Sequence, residues 1–434
     1  MTCKQTGIAE IAPAHDPYAA LRYRDFRLFL FGRILGVIGW QMLQVALGWE
    51  LYERTHSALA LGMVGLAAAI PVVLLALPAG HLADKMDRKK IVIGAQIVFV
   101  SMSVALAAVS HWAGPIPLIF GILLVRGVSQ AYNNPARSAL LPRLVPADAF
   151  GNAVTWSSSA FQTAAVVGPA IGGFVIALEH RATAAYLVDA CLTSIYLVML
   201  FAIRSDGGIP ASASALKPRE KMTLESLVAG MRFVKQTKVV LAALTLDLFA
   251  VLLGGATALL PIFAKDILHV GPDGLGWLRA APSVGALIVM VGIAHRPPMQ
   301  KTGWTLIGAV AGFGTCTVVF GFSRSFALSM SMLFLLGGLD GISMIVRGTL
   351  VQLWTPDEMR GRVSAVNSVF IDMSNELGGF ESGALAAAVG PVAAVVAGGI
   401  GTIVVVAAVA TAWPELRNLG ALIPPDAAQP EAAA

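Results

Sequence analysis

Long apolar runs separated by short polar segments dominate this chain of 434 residues. A helix rises about 1.5 Å per residue, so a run of about 20 residues crosses the roughly 30 Å hydrocarbon core of a bilayer. The pattern predicts twelve membrane-spanning helices, near residues 27–53, 58–80, 91–111, 117–138, 150–178, 183–203, 239–264, 274–294, 304–323, 327–350, 363–388 and 391–413. We therefore expect an all-α membrane protein.

The composition agrees with that expectation. Hydrophobic residues make up 57% of the chain, charged residues only 13%, and the mean hydropathy is +0.76. A soluble core does not need so much apolar sequence. The polar N-terminal segment lacks a short apolar region followed by a small-residue cleavage site, so the first helix is expected to act as its own insertion signal.

The net charge of +5 is explained by where the basic residues lie rather than by nucleic-acid binding. Most Lys and Arg residues fall in the N-terminal segment, in loops after even-numbered helices, or in the tail. Only Arg54, Arg181, Lys265 and Arg324 fall in opposite-side loops. The positive-inside rule then predicts a multi-pass protein of the plasma (inner) membrane with both termini in the cytoplasm.

An internal repeat divides the chain into two halves. A shift of 210 residues places Arg137 on Arg347, Pro146 on Pro356, Gly151 on Gly361, Gly168 on Gly378 and Gly173 on Gly383. Membrane proteins that carry cargo are often built from such repeats. The repeat predicts two pseudo-symmetric six-helix bundles.

Five segments follow from these patterns. We expect a cytoplasmic N-terminus (1–26), an N-terminal bundle (27–203), a cytoplasmic linker with an amphipathic helix (204–238), a C-terminal bundle (239–413) and a disordered cytoplasmic tail (414–434). In the linker, Leu224, Leu227, Val228, Met231 and Val234 form one apolar stripe. The stripe predicts a helix lying along the inner membrane surface.

Sequence signatures of enzymes and of cofactor sites are missing. No Gly-x-x-x-x-Gly-Lys-Ser/Thr phosphate loop, His-Glu-x-x-His or Gly-x-Ser-x-Gly occurs, and the three cysteines have no metal-binding or disulfide spacing. We therefore expect no enzyme activity, no cofactor and no bound metal. A monomer that meets a small-molecule substrate, protons and the lipid bilayer is the corresponding expectation for partners.

The run Gly80 to Lys90 is the most charged short segment between two predicted helices. Six of the seven residues from Asp84 onward are charged. Asp84 can accept bonds from helix N-terminal amides of the opposite bundle and so latch a gate. Arg88, Lys89 and Lys90 can pair with carboxylates or lipid phosphate. The alternative is that these charges only fix topology.

A second short motif lies in predicted helix 5. Gly168, Pro169, Gly172 and Gly173 combine a proline that removes one helix hydrogen bond with glycines that allow close backbone approach. We predict a hinge that packs tightly against a neighbouring helix. Ordinary small-residue packing, as at Gly32, is the alternative.

These motifs carry a resemblance to a known family. The run from Gly80 to Lys90 resembles the loop 2-3 signature of the major facilitator superfamily, with Asp87 in place of the usual glycine, and Arg126-Gly127 loosely resembles its conserved-arginine motif. The helix 5 motif is close to the signature of antiporter-type exporters. The segments Asn134 to Arg137, Leu141 to Pro146 and Arg360 to Val363 are similar to the enterobactin-exporter and macrolide-efflux branch. The resemblance implies two bundles that rock about a central cavity, with helix 5 against helix 8.

Ionisable residues inside apolar runs are costly and invite explanation. The proton-coupling candidates are Asp372, Glu376, Asp247 and Asp340. Asp372 and Glu376 are four residues apart on one helix face, where like charges favour holding a proton. The intramembrane cations Arg33 and Arg126 can balance a carboxylate or bind an anionic substrate. A structural ion pair is the alternative for each residue.

Aromatic and amide side chains are candidates for lining a substrate cavity. They are Trp40, Gln41, Gln44, Trp156, Gln162, Phe249 and Phe370. The leading hypothesis is a secondary exporter that moves an amphipathic siderophore or drug outward by alternating access, driven by inward proton flow. An importer or uniporter of the same fold, and a non-transporting membrane scaffold or sensor, remain open.

Overall fold

The computed structural model describes residues 16–204, 224–296, 299–356 and 358–420. The side chains of Asp84 and Asp372 lie outside the described residues, so the latch at Asp84 and the carboxylate pair with Glu376 stay predictions. The linker residues 205–223 and the tail residues 421–434 lie outside them as well.

The first half contains six long helices that match the predicted spans within a few residues. They are α1 (Arg24–Thr55), α2 (Ala58–Lys85), α3 (Arg88–His111), α4 (Ile116–Leu140), α5 (Phe150–Glu179) and α6 (Thr183–Ala202). Because α2 runs on to Lys85, the predicted loop from Gly80 to Lys90 is wrong in extent: only Met86 and Asp87 connect α2 to α3. The carboxylate of Asp87 accepts a hydrogen bond from the Lys89 N–H at 2.9 Å and caps α3.

The second half begins with the short helix α7 and repeats the six-helix pattern. Its helices are α7 (Leu224–Gln236), α8 (Lys238–Leu253), α9 (Gly271–Ala294), α10 (Thr302–Phe322), α11 (Phe326–Leu353), α12 (Arg360–Val389) and α13 (Pro391–Ala412). Eleven helices in the described ranges are long and apolar enough to span a membrane. The remaining long helix of the two bundles, α12, carries more charge and packs along α2 and α8.

The span predicted over 239–264 is not one regular helix. After α8 the chain forms a 3₁₀ segment (Gly255–Leu259), one α-helical turn (Leu260–Ile262) and a π-helical turn (Phe263–Ile267). Pro261 has no N–H to donate, which interrupts the helical hydrogen bonds. A Cβ on Gly255 would lie 2.8 Å from the Gly378 carbonyl carbon, so the break also lets α12 approach closely.

Two helix pairs join the bundles. α2 packs along α12, and α5 packs along α9. In the first pair a Cβ on Gly383 would lie 2.8 Å from the Gly62 Cα; in the second a Cβ on Gly173 would lie 2.8 Å from the Gly276 Cα. The two crossings are related by the repeat, which confirms the predicted pseudo-symmetry. Both lie far from the start of α1, on the side we call the opposite face; the terminal face carries the start of α1 and the end of α13.

The segments beside both termini pack on the bundles at the terminal face. The Pro17 carbonyl accepts hydrogen bonds from Asn152 Nδ2 at 2.8 Å and Trp156 Nε1 at 3.0 Å. At the other end Leu416 is fully buried, and the Thr302 N–H donates to the Gly420 carbonyl at 3.1 Å. The prediction of disorder is therefore wrong for residues 414–420, which include the short helix α14 (Pro414–Arg417).

The amphipathic helix of the linker lies against the C-terminal bundle. In α7, Val234 is buried beside Val363 and Val366, and a Cβ on Gly230 would lie 2.8 Å from the Arg362 carbonyl oxygen. Val228 is 57% exposed. Part of the predicted stripe thus faces α12, and part remains available to a membrane surface.

Candidate binding cavity

A cavity of about 490 Å³ lies where the two bundles meet, beneath the glycine crossings. Its walls come from α1, α2 and α5 of the first half and from α8, α9, α10, α11 and α12 of the second. The volume falls within the usual range for small-molecule sites. The cavity is therefore large enough to hold a small molecule between the bundles.

Three charged side chains line this cavity, all from the second half: Arg279, Asp340 and Glu376. The Arg279 guanidinium lies 3.5 Å from the Gln44 carbonyl of α1 and experiences the charge of Glu376. The Glu376 carboxylate lies against Gly65 of α2, where an added Cβ would require the carboxylate to move. These contacts make Arg279 and Glu376 links between the bundles.

Asp340 differs from those two residues because it projects into the cavity. Its side chain is exposed, and within the described part of the chain no side chain pairs with it. Asp340 is therefore the carboxylate of the wall that is open to a ligand entering the cavity.

The remaining wall mixes amides and hydroxyls with apolar side chains. Gln44, Gln162, Ser283 and Asn375 provide the polar part. The apolar part comes from Leu61, Val64, Met290, Phe313, Leu336 and Met344. Methionine side chains adapt to ligands of different shape. Such a surface suits an amphipathic ligand.

The opposite face is closed above the cavity by contacts between α1 and the π-helical turn Phe263–Ile267, which follows α8. The Tyr52 hydroxyl donates a hydrogen bond to Asp266. Lys265 Nζ lies 4.0 Å from Glu53 Oε1 and 5.8 Å from the centre of the Trp49 ring. Together with the glycine crossings, these contacts separate the cavity from the opposite face.

Of the proton-coupling candidates, Asp340 and Glu376 line the cavity and Asp247 does not. Asp247 is buried in the C-terminal bundle, where it pairs with Arg347. Removing either charge would strand the other in an apolar interior, so this pair is structural.

Arg126 also has a structural partner. It lies 3.4 Å from the buried Asp189 carboxylate and donates to Ser103 Oγ at 2.8 Å. The aromatic rings of Trp40 and Phe99 cover the guanidinium at 4.8 and 5.1 Å. The Trp40 ring is thus occupied by a cation–π contact inside the N-terminal bundle.

Two of the seven predicted lining residues, Gln44 and Gln162, are among the cavity walls. Gln162 Nε2 also contacts Met290 Sδ across the two bundles at 3.9 Å. Gln41 packs instead against Gly168. The sequence does not fix helix rotation, and a change of one residue turns a side chain by about 100°.

The other predicted lining residues lie elsewhere. Trp156 binds the Pro17 carbonyl at the terminal face. Phe370 packs beside Val363 and Val366 under α7. Phe249 is 39% exposed and is not among the residues that line the cavity.

The helix 5 motif packs against two different helices. A Cβ on Gly168 would lie 3.0 Å from the Ile38 carbonyl, and one on Gly172 would lie 2.9 Å from the Met42 Cα, both in α1. Gly173 and the Pro169 carbonyl face α9, which is the eighth spanning helix. The motif thus forms one of the two inter-bundle crossings, while its role as a hinge stays a prediction.

The basic residues of the α2–α3 connection contact helix ends of their own bundle. Arg88 Nη1 donates to the Ala139 carbonyl at 3.2 Å, and Lys89 Nζ donates to the Ile203 carbonyl at 2.5 Å. Cations are favourable at the C-terminal ends of helices, here α4 and α6. Lys90 is exposed.

Two important residues were missed by the sequence reasoning. Arg279 and Arg347 each stand alone in an apolar run, the signal that had singled out Arg33. The internal repeat points to Arg347 only as the partner of Arg137.

Comparison with known proteins gives one family match over almost the whole chain. The model of a family described as transmembrane secretion effectors, a major facilitator family, matches residues 15–430. The multidrug efflux pump Tap of Mycolicibacterium fortuitum is 27% identical over 382 residues, 84% of this chain and 89% of that protein. The enterobactin exporter EntS of Escherichia coli K12 is 25% identical over 400 residues, 91% and 92% of the two chains.

A shorter match and two solved structures complete the comparison. Macrolide efflux protein A of Streptococcus pyogenes is 25% identical over 281 residues, which cover 62% of this chain and 66% of that protein. A POT family transporter in complex with 5-aminolevulinic acid has a TM-score of 0.69 at 11% identity and covers 91% and 97% of the two chains. The nucleoside transporter NupG has a TM-score of 0.66 at 14% identity, covering 89% and 98%. At these identities the two structures show a shared fold alone.

Proposed function

Because the chain belongs to the transmembrane secretion effector family of the major facilitator superfamily, we propose that it exports an amphipathic small molecule in exchange for protons. It is a multi-pass membrane transporter and not an enzyme. The export direction is supported by its relatives, which are named as efflux pumps and an exporter.

The observation that carries the proposal is the cavity between the bundles, with Asp340 in its wall and no described side chain paired with that carboxylate. An amphipathic substrate covers the Met290 and Met344 side of the wall and reaches the amides of Gln44 and Gln162. A basic or hydrogen-bonding group of the substrate competes with a proton at Asp340. That competition couples outward substrate movement to inward proton movement.

Alternating access follows from the two pseudo-symmetric crossings. With Gly62 against Gly383 and Gly173 against Gly276, the bundles are closed at the opposite face. Rocking them apart there breaks the contact between Tyr52 and Asp266 and opens the cavity to that side. Protonation of Asp340 from that side then favours release of the substrate.

We place the terminal face on the cytoplasmic side of the inner membrane, because the basic residues concentrate at that face. In that orientation the structure has the cavity shut toward the outside. A monomer suffices for the cycle, since both halves of the cavity come from one chain. Topology is checked by the reactivity of a single cysteine placed at Arg143 or Glu179 toward an impermeant reagent in whole cells.

The deciding experiment is transport into proteoliposomes with an imposed pH gradient. A panel of fluorescent dyes, macrolides and catecholate siderophores is offered to the wild type, Asp340→Asn and Glu179→Gln. Glu179 is an exposed carboxylate at the end of α5, outside the cavity wall, and serves as the matched control.

We expect the wild type and Glu179→Gln to transport substrate against its concentration gradient, in the direction set by the pH gradient. Asp340→Asn is expected to lose uphill transport by at least about tenfold while keeping exchange of bound substrate, because only the proton step is removed. Wild-type transport whose rate and direction do not depend on the pH gradient would contradict proton coupling. Accumulation in cells rather than extrusion would favour an importer, and the lack of any transported compound would favour a scaffold.

A further inference from the structure

The N-terminal bundle contains two half-buried arginines that pair with no carboxylate among the described residues. Arg33 of α1 and Arg137 of α4 act electrostatically on each other, and the Tyr196 hydroxyl of α6 lies within range of both. Within the described residues no carboxylate pairs with either guanidinium. Two like charges in a membrane-embedded bundle are costly unless an anion balances them.

Two buried polar groups of these side chains have no hydrogen-bond partner among the described residues. Arg33 Nε and the Tyr196 hydroxyl oxygen are buried and have no hydrogen-bond partner in the described structure. The Tyr196 ring is held over Gly32 and Gly36, which leave room for it in α1. Buried polar groups are normally satisfied, so two unsatisfied groups on neighbouring helices α1 and α6 indicate a missing acceptor.

The internal repeat shows what this acceptor replaces. Gly62 and Gly276 occupy equivalent positions in the two halves, 214 residues apart, and Arg33 and Asp247 have the same separation. Arg137 is equivalent to Arg347. In the C-terminal bundle these positions form the Asp247–Arg347 ion pair. In the N-terminal bundle arginine stands where the acid would be, and no carboxylate among the described residues supplies the negative charge.

We propose that Arg33, Arg137 and Tyr196 form an oxyanion-binding site in the N-terminal bundle, apart from the central cavity. Two guanidinium forks and a hydroxyl suit a phosphate or carboxylate group, which accepts several charged hydrogen bonds at once. Arg137 lies less than one turn from the end of α4, and Arg33 lies nine residues inside α1. This depth is within reach of a soluble anion and of a lipid phosphate at the terminal face.

The test uses the full-length protein and two sources of phosphate. In detergent, inorganic phosphate is titrated against chloride at equal ionic strength, and binding is followed by calorimetry and by the unfolding temperature. In nanodiscs of neutral phosphatidylcholine with or without phosphatidylglycerol, retained lipid is counted by native mass spectrometry. Phosphate binding in detergent identifies a soluble anion, whereas retention of phosphatidylglycerol alone identifies a lipid headgroup.

The variants separate charge from structure. Arg33→Gln and Arg137→Gln are expected to weaken binding by about tenfold or more, because each removes charge-assisted hydrogen bonds. Arg143→Gln removes an exposed arginine of the same face and is expected to bind as the wild type. Arg33→Asp recreates the ion pair of the other half. It is expected to abolish binding and to raise the unfolding temperature of the anion-free protein above that of the wild type.

Two results would overturn the proposal. One is the absence of any phosphate or phosphatidylglycerol binding that depends on Arg33 and Arg137. The other is an Arg33→Asp protein that folds, as judged by a monodisperse elution profile, but is less stable than Arg33→Gln without anion. The second result would mean that Arg137 is already neutralised within the chain.

Discussion

Adding a single methyl group at a glycine crossing is predicted to open the opposite face. In Gly276→Ala the new Cβ lies 2.6 Å from the Pro169 carbonyl oxygen and 3.0 Å from the Gly173 Cα. Ordinary contacts between such atoms are about 3.5 Å, so α5 and α9 have to separate by roughly 1 Å. Backbone atoms form the obstacle, and no side-chain rotation relieves it.

The size of the effect follows from overpacking. Inserting a methyl into a tight contact costs about 1–3 kcal/mol. The cost applies only to the state in which the opposite face is closed, so the open state gains by about 5- to 150-fold. Gly383→Ala at the second crossing is expected to act in the same direction, because its Cβ lies 2.7 Å from the Ala58 carbonyl.

Distances between spin labels measure this shift. Spin labels are attached to cysteines placed at Glu179, the last residue of α5, and Asp273, in the first turn of α9. Both positions are exposed and lie at the opposite face, so the distance between the labels reports on the gap between the bundles. The three native cysteines are first replaced by serine. We expect a short distance in the wild type and a growing population at longer distance in Gly276→Ala.

Gly121→Ala provides the matched control. Gly121 of α4 has no atom within 4 Å of an added Cβ, so this change only favours the helix, by about 1 kcal/mol. An unchanged distance distribution in Gly276→Ala, or an equal shift in Gly121→Ala, would refute the role of the crossing.

Three further predictions concern ion pairs and contacts away from the crossings. Asp247→Asn is expected to lower the free energy of unfolding by about 3–5 kcal/mol because it strands Arg347; a thermal-unfolding series that includes a double Asp247→Leu, Arg347→Leu variant checks this by regaining most of the loss. The Lys238 ammonium holds the pKa of Glu415 below its usual value, so the contact between the tail and α8 is present at neutral pH and is lost as the pH falls through that lowered pKa. Hydrogen exchange of residues 414–420 in the wild type should therefore rise at that pH. In Glu415→Gln this exchange should already be high at neutral pH and should not rise further. Asp266→Asn weakens the hydrogen bond from Tyr52 that helps to close the opposite face. We expect it to raise the reactivity of cysteines introduced into the cavity wall toward reagents added on that face; unchanged reactivity would contradict that role.

The fold was predictable because a bilayer leaves the chain few options. Twenty-residue apolar runs become helices, since lipid offers no partner for an exposed backbone. The repeat from Arg137 to Arg347 then gave the division into bundles. The break after α8 was not predictable by hydropathy, because Pro261 and Gly255 sit in an apolar run and their effect depends on the approach of α12.

The site was predictable only in part. Asp340 and Glu376 stood out as costly charges, and they line the cavity. Trp40 does not line the cavity, because its ring packs against the guanidinium of the buried Arg126 in a cation–π contact. Such pairings depend on which helices meet, and one sequence does not specify that. The carboxylate partners of Arg126 and Arg347, in α6 and α8, are 63 and 100 residues away in sequence.

Proton release on substrate binding tests the central claim most directly. A transported compound from the panel is added to the protein in weakly buffered detergent solution, and the pH change is recorded with a soluble indicator. We predict that the wild type and Glu179→Gln release protons in proportion to bound substrate, whereas Asp340→Asn binds substrate and releases none. Equal proton release by Asp340→Asn, or substrate binding to the wild type without proton release, would contradict coupling through this carboxylate.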